Sequence, residues 1–546
     1  MRLDELTAGL GDHAAGGLAA SALKTEITGL ANDSRAVRPG DLFFCVSGFQ
    51  RDGHEFAPQA LAAGAAALVV ERPLGLGVPE LPVPSVRAAM APLAARFFGD
   101  PTAQLRVVGV TGTNGKTTTA YLVRALLEAT GTQCGLLGTV TSFVGGQERE
   151  VARTTPEAID LQRTFREMLD GGDRACAIEA SSHALELGRV DATRFAVAIF
   201  TNLTQDHLDF HETMEDYFLA KRRLFAEHRP GTSVINVGDA YGRRLAGEVP
   251  GAVTFAVEPG PPGGDTPGGE PTARAGKALE ADYLATELRC DFAGCAFRLR
   301  TPEGEEEREV RLPMPGRFNV ANALGALAAA RALGGELDAL LAALERGVHV
   351  PGRFEPVEEG QDFAVLVDYA HTPDSLENVL DAARTLVRAD SDDAAGRSPG
   401  RVLCVFGAGG DRDRGKRPLM GEISARLADL TIVTSDNPRS EEPEQIIAEI
   451  MAGVARVAGT NAEAGANAEA GANGAPGAAA MQRVRTVADR AIAIDEAIGA
   501  ARAGDVLVIA GKGHEQGQEF AGGRKVPFDD ATVARKALRV RAGAGA

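Results

Sequence analysis

The segment GVTGTNGKTTT, Gly109 to Thr119, constrains the fold more than any other stretch. It follows LRVVGV, Leu105 to Val110, an apolar and β-branched run that reads as a buried strand, and it leads into TTTAYLVRALLEA, whose apolar residues recur with helical spacing. A strand, a glycine-rich turn and a helix in that order form a phosphate cradle. Gly112 and Gly115 let backbone N–H groups converge on an anion, Lys116 reaches the terminal phosphates, and the Thr117 hydroxyl suits Mg²⁺. The strict P-loop pattern asks for glycine at position 110, where this chain has Val110. A glycine-rich turn carrying a surface lysine is the alternative.

Strands and helices alternate through the rest of the chain. CAIEA (Cys176 to Ala180), FAVAIFTNL (Phe195 to Leu203) and SVINVGD (Ser233 to Asp239) continue the P-loop unit. Later come AVLVDYAHT (Ala364 to Thr372), RVLCVFGAGGDRD (Arg401 to Asp413), LTIVTSDNPR (Leu430 to Arg439) and DVLVIAGKGHE (Asp505 to Glu515). Each carries polar residues at or beyond its carboxyl end, where open parallel sheets bind their ligands. Two nucleotide-binding-like α/β units with facing sites are the expectation. The 546 residues exceed what one core organises and suggest about three domains, at roughly 100 to 200 residues each.

The formal net charge of −18 argues against a general nucleic-acid binder, so an anionic substrate must meet local clusters of Lys and Arg. The N-terminus lacks a basic region followed by an apolar core, and no run approaches the roughly 20 apolar residues of a membrane span. A cytoplasmic protein without membrane contact is expected. Six cysteines are scattered, and the expectation is reduced thiols; Cys290 and Cys295 are close enough to suggest a metal pair, but no second pair accompanies them and they read as structural. Glu258 to Ala278 and Ala458 to Ala480 are rich in Gly, Pro and Ala without apolar periodicity and read as mobile surface loops.

Two polar clusters suggest chemistry. Glu179, at the end of a strand, reads as a magnesium ligand or an exposed carboxylate. In DHLDFH, Asp206 to His211, His207 and His211 stand four apart, which on a helix would make half of a zinc site; no HExxH arrangement completes it, and one histidine near magnesium fits better.

TGTNGKTTT, EASSHAL, NLTQDHLDFH, the Ala220–Lys221 pair, PGRFNVANALGALA, PGRFE, DYAHTPDS, GAGGDRDRGKRP, DNPRSEEP and AGKGHE occur in the order seen in the Mur ligases, which the chain resembles over nearly its whole length. The resemblance is nearest to the branch that adds the third amino acid of the peptidoglycan precursor, and Val110 is normal there. It implies an α/β fold of three domains. These are an N-terminal UDP-sugar-binding α/β domain (residues 1–104), a central P-loop ATPase domain with a parallel sheet (105–351) and a C-terminal Rossmann-like domain that binds the amino acid (352–546).

The resemblance also implies roles. ATP phosphates fall on Thr111, Gly112, Thr113, Asn114, Gly115, Lys116, Thr117 and Thr118, with magnesium at Thr117, Glu179, His207 and a carbamylated Lys221. For Lys221 a plain surface lysine beside Arg222 and Arg223 is the alternative. Adenine and ribose contacts carry over to Asn319, Arg353, Asp368 and His371, with a structural salt bridge as the other reading of Arg353. The nucleotide sugar belongs around Ser34, and its peptide end at Thr154, Thr155, Ser181 and Arg189; Leu187 stands where some members have glutamine. Arg412, Asp436, Asn437, Pro438, Arg439, Gly511 and Glu515 make the amino-acid pocket. The arginine of DNPR accompanies meso-diaminopimelate in this family, and a guanidinium grips a distal carboxylate while repelling a lysine ammonium. The other reading of Arg439 is a helix-start residue paired with Glu441 or Glu442.

The implied partners are small molecules, with ATP and Mg²⁺ as cofactors, and a monomer is expected. A lysine-adding ligase, a neighbouring ligase such as folylpolyglutamate synthase, and a P-loop switch ATPase are the competing readings. The implied chemistry is an acyl phosphate on the D-Glu γ-carboxyl, attacked by an amine, with the C-terminal domain swinging on the link near Pro351 and Gly352.

Overall fold

The computed structural model describes all residues except 9–18, 49–50, 152, 260–279, 303, 305–306, 394–399, 466–481 and 545–546. Among the described residues, three larger sheets follow one another along the chain: four strands within 29–82, eleven within 106–312 and six within 355–510.

The first sheet is all-parallel, in the order Gly29–Ala31, Asp41–Phe44, Ala67–Val70, Glu80–Pro82. Its strands are apolar on both faces because both are covered. Ala67 and Val69 join a core with helix Val86–Phe97, while Leu68 and Val70 join one with helix Ala57–Ala62.

The P-loop strand, Arg106–Thr111, lies between Phe195–Phe200 and Ala175–Glu179 and runs parallel to both. Val108 and Val110 pack with Leu122, Val123, Leu126 and Leu127 of helix Lys116–Ala129 and with helix Arg317–Ala332. Val107 faces the other way, toward Phe165 and Met168 of helix Ala158–Asp170. Each large aliphatic buried here stabilises the sandwich by roughly 1.5–3 kcal/mol. This sheet is parallel at its centre, as expected, but antiparallel at both edges: Tyr283–Asp291, Gly294–Arg300 and Arg308–Leu312 at one, Ser142–Val144 and Gln147–Arg149 at the other. Short turns make these hairpins, since a parallel return needs a crossover of a dozen or more residues. In the second hairpin Gly145 and Gly146 hold φ of 58° and 76°, values a tight turn demands and glycine supplies.

The first hairpin corrects the reading of the cysteines. Its register sets Cys290 opposite Cys295 with Cα atoms 4.1 Å apart, and the two form a disulfide rather than standing as reduced thiols. Cys45, Cys134, Cys176 and Cys404 are free and buried, as expected.

The third sheet is parallel except for its short first strand, in the order Glu355–Pro356, Ala364–Asp368, Val506–Ala510, Val402–Phe406, Leu430–Val433, Val484–Thr486. Helix Pro443–Gly465 runs into the stretch read as a loop from Ala458, so residues 458–465 are helical; the remainder of that stretch, and 260–278 of the other, lie outside the described residues. No described helix is long and apolar enough to cross a membrane.

Candidate active site

The loop from Gly112 to Gly115 is built from backbone. Gly112 and Gly115 hold φ of 150° and 83°, and a Cβ on them would fall 1.9 Å from Thr201 Oγ1 and 2.3 Å from Asn322 Oδ1. The strand that ends at Phe200 braces the loop from the side: Thr113 N donates to Asn202 O (3.0 Å), Asn114 N to Asn202 Oδ1 (2.9 Å), and Thr201 Oγ1 to Asn114 O (2.6 Å). Lys116 curls back, its Nζ donating to Gly112 O (2.9 Å) and Thr113 O (2.8 Å). Thr111, Thr113, Thr117 and Thr118 are buried around it.

Lys221, on helix Met214–Ala226, reaches the same carbonyl, Gly112 O, at 2.8 Å and lies over the Tyr217 ring. It is 1% exposed, which rules out the plain surface lysine. Burial, reinforced by Lys116, holds its pKa well below the usual lysine value. Burial also lowers Lys116, with Glu179 and Asp206 opposing.

Glu179 is buried at the end of its strand, and both carboxylate oxygens are oriented by Thr139, through N (2.8 Å) and Oγ1 (3.0 Å). The DHLDFH segment is not helical: the helix begins at Met214, and His207 holds a φ of 55°. Its ring stands 5.0 Å from that of His183 and its Nε2 lies 3.4 Å from Asp206 Oδ2. Burial keeps His207 neutral far below the usual imidazole value, against the pull of Asp206. Among the described residues no group of three or more His, Cys, Asp or Glu is arranged for a metal.

The third sheet meets the loop across the domain junction. Arg353 donates to Thr117 Oγ1 (3.0 Å) and lies 4.4 Å above the Tyr369 ring, while its buried Nε finds no acceptor among the described residues. Asn114 Nδ2 donates to Asp374 (2.6 Å). Asp368 is buried and accepts from Phe354 N (2.7 Å); burial pushes its carboxyl up to about 6, against Arg353. His371 Nδ1 contacts Tyr369 O (2.8 Å), and Asn319 donates to Pro315 O (2.8 Å).

The residues expected to hold the amino acid gather beyond the carboxyl ends of the third sheet. Asn437 Nδ2 donates to Glu515 Oε2 (2.7 Å), and a Cβ on Gly511 would sit 3.2 Å from Asp436 Oδ2. Arg439 donates to Gly410 O (2.6 Å) and pairs with Glu519 (3.2 Å), not with Glu441 or Glu442; Arg417 takes Glu441 instead. Pro438 O lies where a Cβ on Gly410 would stand, and Arg412 is exposed on the adjoining loop.

A cavity of about 910 Å³ lies between the first two sheets, and Ser34 and Thr154 share its wall. Thr155 Oγ1 bonds Glu179 O (2.7 Å) and Ser181 Oγ (3.2 Å), and Arg189 donates to Thr155 O (3.3 Å). Sequence reasoning missed Glu157 here, whose carboxylate faces Arg87, Arg153 and Arg189 at 3.7, 2.8 and 2.9 Å. It also missed Asp206, Tyr369, Lys512 and His514 as parts of the site, although GKGHE and DYAHTPD carry three of them.

Three family models match in series: "Mur ligase family, catalytic domain" over residues 26–98, "Mur ligase middle domain" over 110–330, and "Mur ligase, glutamate ligase domain" over 352–513. The chain belongs to the Mur ligase family. Among the relatives of this Mur ligase, the UDP-N-acetylmuramoyl-L-alanyl-D-glutamate–2,6-diaminopimelate ligase of Geobacillus kaustophilus is 45% identical over 94% of this chain and 96% of its own. The enzyme of that name from Streptomyces coelicolor is 42% identical over 96% of this chain and 94% of its own. A solved structure of a UDP-N-acetylmuramoyl-L-alanyl-D-glutamate–2,6-diaminopimelate ligase aligns with a TM-score of 0.61 at 33% identity, covering 94% and 95% of the two chains. The MurF ligase of Thermotoga maritima in complex with ADP, 18% identical with a TM-score of 0.58, shares the fold, covering 95% of this chain and 99% of its own.

Proposed function

We infer that this Mur ligase is an ATP-dependent, ADP-forming enzyme that joins meso-2,6-diaminopimelate to the D-Glu γ-carboxyl of UDP-N-acetylmuramoyl-L-Ala-D-Glu, acting in the cytoplasm as a monomer on small-molecule substrates. The observation that carries the reading is the extent of its likeness to ligases of that name, 45% identity across 94% of the chain. The pocket around Arg439, Asn437 and Glu515 is consistent with it.

A carboxylate is a poor electrophile. The γ-phosphoryl of ATP therefore passes first to the D-Glu carboxyl, breaking the bond to the β-phosphate oxygen and giving an acyl phosphate plus ADP; the diaminopimelate amine then attacks, expelling phosphate and losing a proton. Lys116, released from Gly112 O and Thr113 O, neutralises the migrating phosphoryl group, and Arg353 offers its free Nε–H beside Thr117. The N-terminal and central domains hold the nucleotide sugar in their shared cavity, with Ser34 on one side and Thr154 on the other.

Magnesium would be held by Thr117, Glu179, His207 and Lys221, where it offsets phosphate charge. Burial disfavours the ammonium form of Lys221, and the unprotonated amine is the form that adds to CO₂: nitrogen bonds the carbon, a proton leaves, and a carbamate with two hard oxygens replaces the amine. The C-terminal domain closes on the link at Gly352, where a Cβ would lie 2.1 Å from His514 N.

The test is phosphate release with UDP-N-acetylmuramoyl-L-Ala-D-Glu and ATP, comparing meso-diaminopimelate, L-lysine and no amino acid. Release only with meso-diaminopimelate, with the tripeptide seen by mass, is expected. Preference for lysine overturns the specificity, and release without amino acid overturns the ligase reading in favour of a switch ATPase.

A further inference from the structure

A lysine with no solvent exposure sits under the amino-acid pocket. Lys512 is 0% exposed, in the loop after strand Val506–Ala510, and its Nζ meets three acceptors: Glu515 Oε2 at 2.9 Å, Asn437 Oδ1 at 3.0 Å and Asp436 Oδ1 at 3.4 Å. Those acceptors come from one segment 75 or more positions away and from its own loop, and all three belong to the pocket described above. A buried ammonium is costly unless it is paired, so its presence at this point needs a reason.

We propose that Lys512 sets the charge preference of the amino-acid pocket, acting through Glu515 and Asn437 as a positioning residue that favours a net-neutral diamino diacid over a cationic diamine. The proposal rests on the function inferred above.

The charges carry the argument. Asp436 and Glu515 place two carboxylates beneath the pocket, and Lys512 lies against both. Burial alone would raise the Asp436 pKa, but Lys512 and Arg490 outweigh it and keep that carboxylate ionised. Arg490 is itself paired with Asp530, with both side chains 0% exposed, whereas Lys512 is in direct contact with both Asp436 and Glu515. Removing it leaves the pocket one unit more negative. Diaminopimelate carries two ammonium and two carboxylate groups, whereas lysine lacks one carboxylate and is a net cation; extra negative charge favours the second.

Geometry points the same way. Glu515 Oε2 already accepts from Lys512 and from Asn437 Nδ2 (2.7 Å), which fixes the plane of the carboxylate and leaves Oε1, 3.4 Å from the Tyr369 hydroxyl, for the substrate ammonium. Asn437 Oδ1 accepts from Lys512 and from Glu519 N (3.0 Å), and Glu519 is the partner of Arg439. One ammonium therefore sets the acceptor for the substrate amine and, through Asn437, the segment that carries the arginine for the distal carboxylate.

The experiment measures kcat/KM of the full-length enzyme for meso-diaminopimelate and for L-lysine in the wild type, Lys512→Met and Lys512→Arg, with fluorescent-ATP binding as a check of the fold. Lys512→Met is expected to raise the lysine-to-diaminopimelate ratio at least about tenfold, the change that about 1.4 kcal/mol produces, while the KM for ATP stays near wild type. Lys512→Arg, which keeps the charge, is expected to hold the ratio. Should the methionine variant not fold, the same ratio is read on Lys512→Gln, which keeps a donor without the charge. A lower rate with an unchanged ratio, or the same shift in Lys512→Arg as in the neutral variant, overturns the proposal. A wild type that prefers lysine overturns the functional reading instead, so the two failures are distinguishable.

Discussion

The two halves of the site are made of different material. Around Gly112 to Thr118 the proposed binding surface is main chain, shaped by glycines at positive φ where a Cβ would clash and braced by Asn202 and Thr201. Around Asn437, Arg439 and Glu515 it is side chain, a closed set of charges in which Lys512, Asn437 and Glu519 hold one another. Main-chain N–H groups suit a ligand of invariant shape such as a triphosphate. A charge network can be retuned by one substitution, which suits a pocket that must tell one amino acid from another. The contrast predicts that damage to the first half abolishes turnover with every amino acid, while damage to the second changes which amino acid is used.

The largest effect is expected from Lys116→Met. Phosphoryl transfer loses a preorganised cation, and kcat should fall by roughly 10³-fold with every amino acid tested. Retention of more than a tenth of the rate would break the contrast. Next comes Arg439→Lys. The guanidinium proposed to grip the distal carboxylate becomes a point charge, and kcat/KM for meso-diaminopimelate should fall about 10²-fold while the KM for ATP is unchanged. An equal loss in ATP affinity would show that the pocket and the nucleotide loop are not separable.

The difference in material also explains what the sequence could show. Gly112, Gly115 and Lys116 lie within five consecutive positions of a strand–turn–helix unit, so local spacing reveals them. The strand runs ending at Glu179, Asp368 and Ala510 are legible for the same reason: both faces of each sheet are covered, and a buried parallel strand reads as unbroken apolar sequence. The Lys512 contacts with Asp436 and Asn437 are invisible in that way, because the segments meet only when two parallel strands end at the same level. Glu157 was missed because its three arginines come from a helix of the first domain and two loops of the second. The disulfide was missed because Cys290 and Cys295 oppose each other only in the antiparallel register of a hairpin, and nothing in the apolar pattern announced one.

Asp368 tests the junction of the two halves. It is buried at the end of its strand beside Arg353, and burial raises its carboxyl from 3.8 to about 6. A raised folded-state pKa means that the folded chain binds the proton more tightly than the unfolded chain. The stability this group contributes is complete below pH 3.8 and is lost as pH rises through about 6. Asp368→Asn keeps the acceptor for Phe354 N and removes the titration. Unfolding in denaturant at several pH values should show the variant losing roughly 2–3 kcal/mol less than wild type between about pH 4 and about pH 7. Parallel curves would mean that Arg353 compensates the charge fully.

The smallest effect, and the sharpest on the contrast, is expected at Tyr369, which touches both halves. Its ring lies under Arg353, whose guanidinium bonds Thr117, and its hydroxyl lies 3.4 Å from Glu515 Oε1. Tyr369→Phe removes the hydroxyl alone, so the KM for diaminopimelate should rise about three- to tenfold, as loss of a hydrogen bond to a charged group on a substrate ligand implies, with the KM for ATP unmoved. Tyr369→Leu also removes the ring, and a cation–π contact worth about 0.5–2 kcal/mol then disappears from beneath Arg353. The KM for ATP should rise in that variant only. If instead both substitutions weaken ATP and diaminopimelate together, the ring and the hydroxyl act as one unit, and the main-chain and side-chain halves of the site are coupled through this residue.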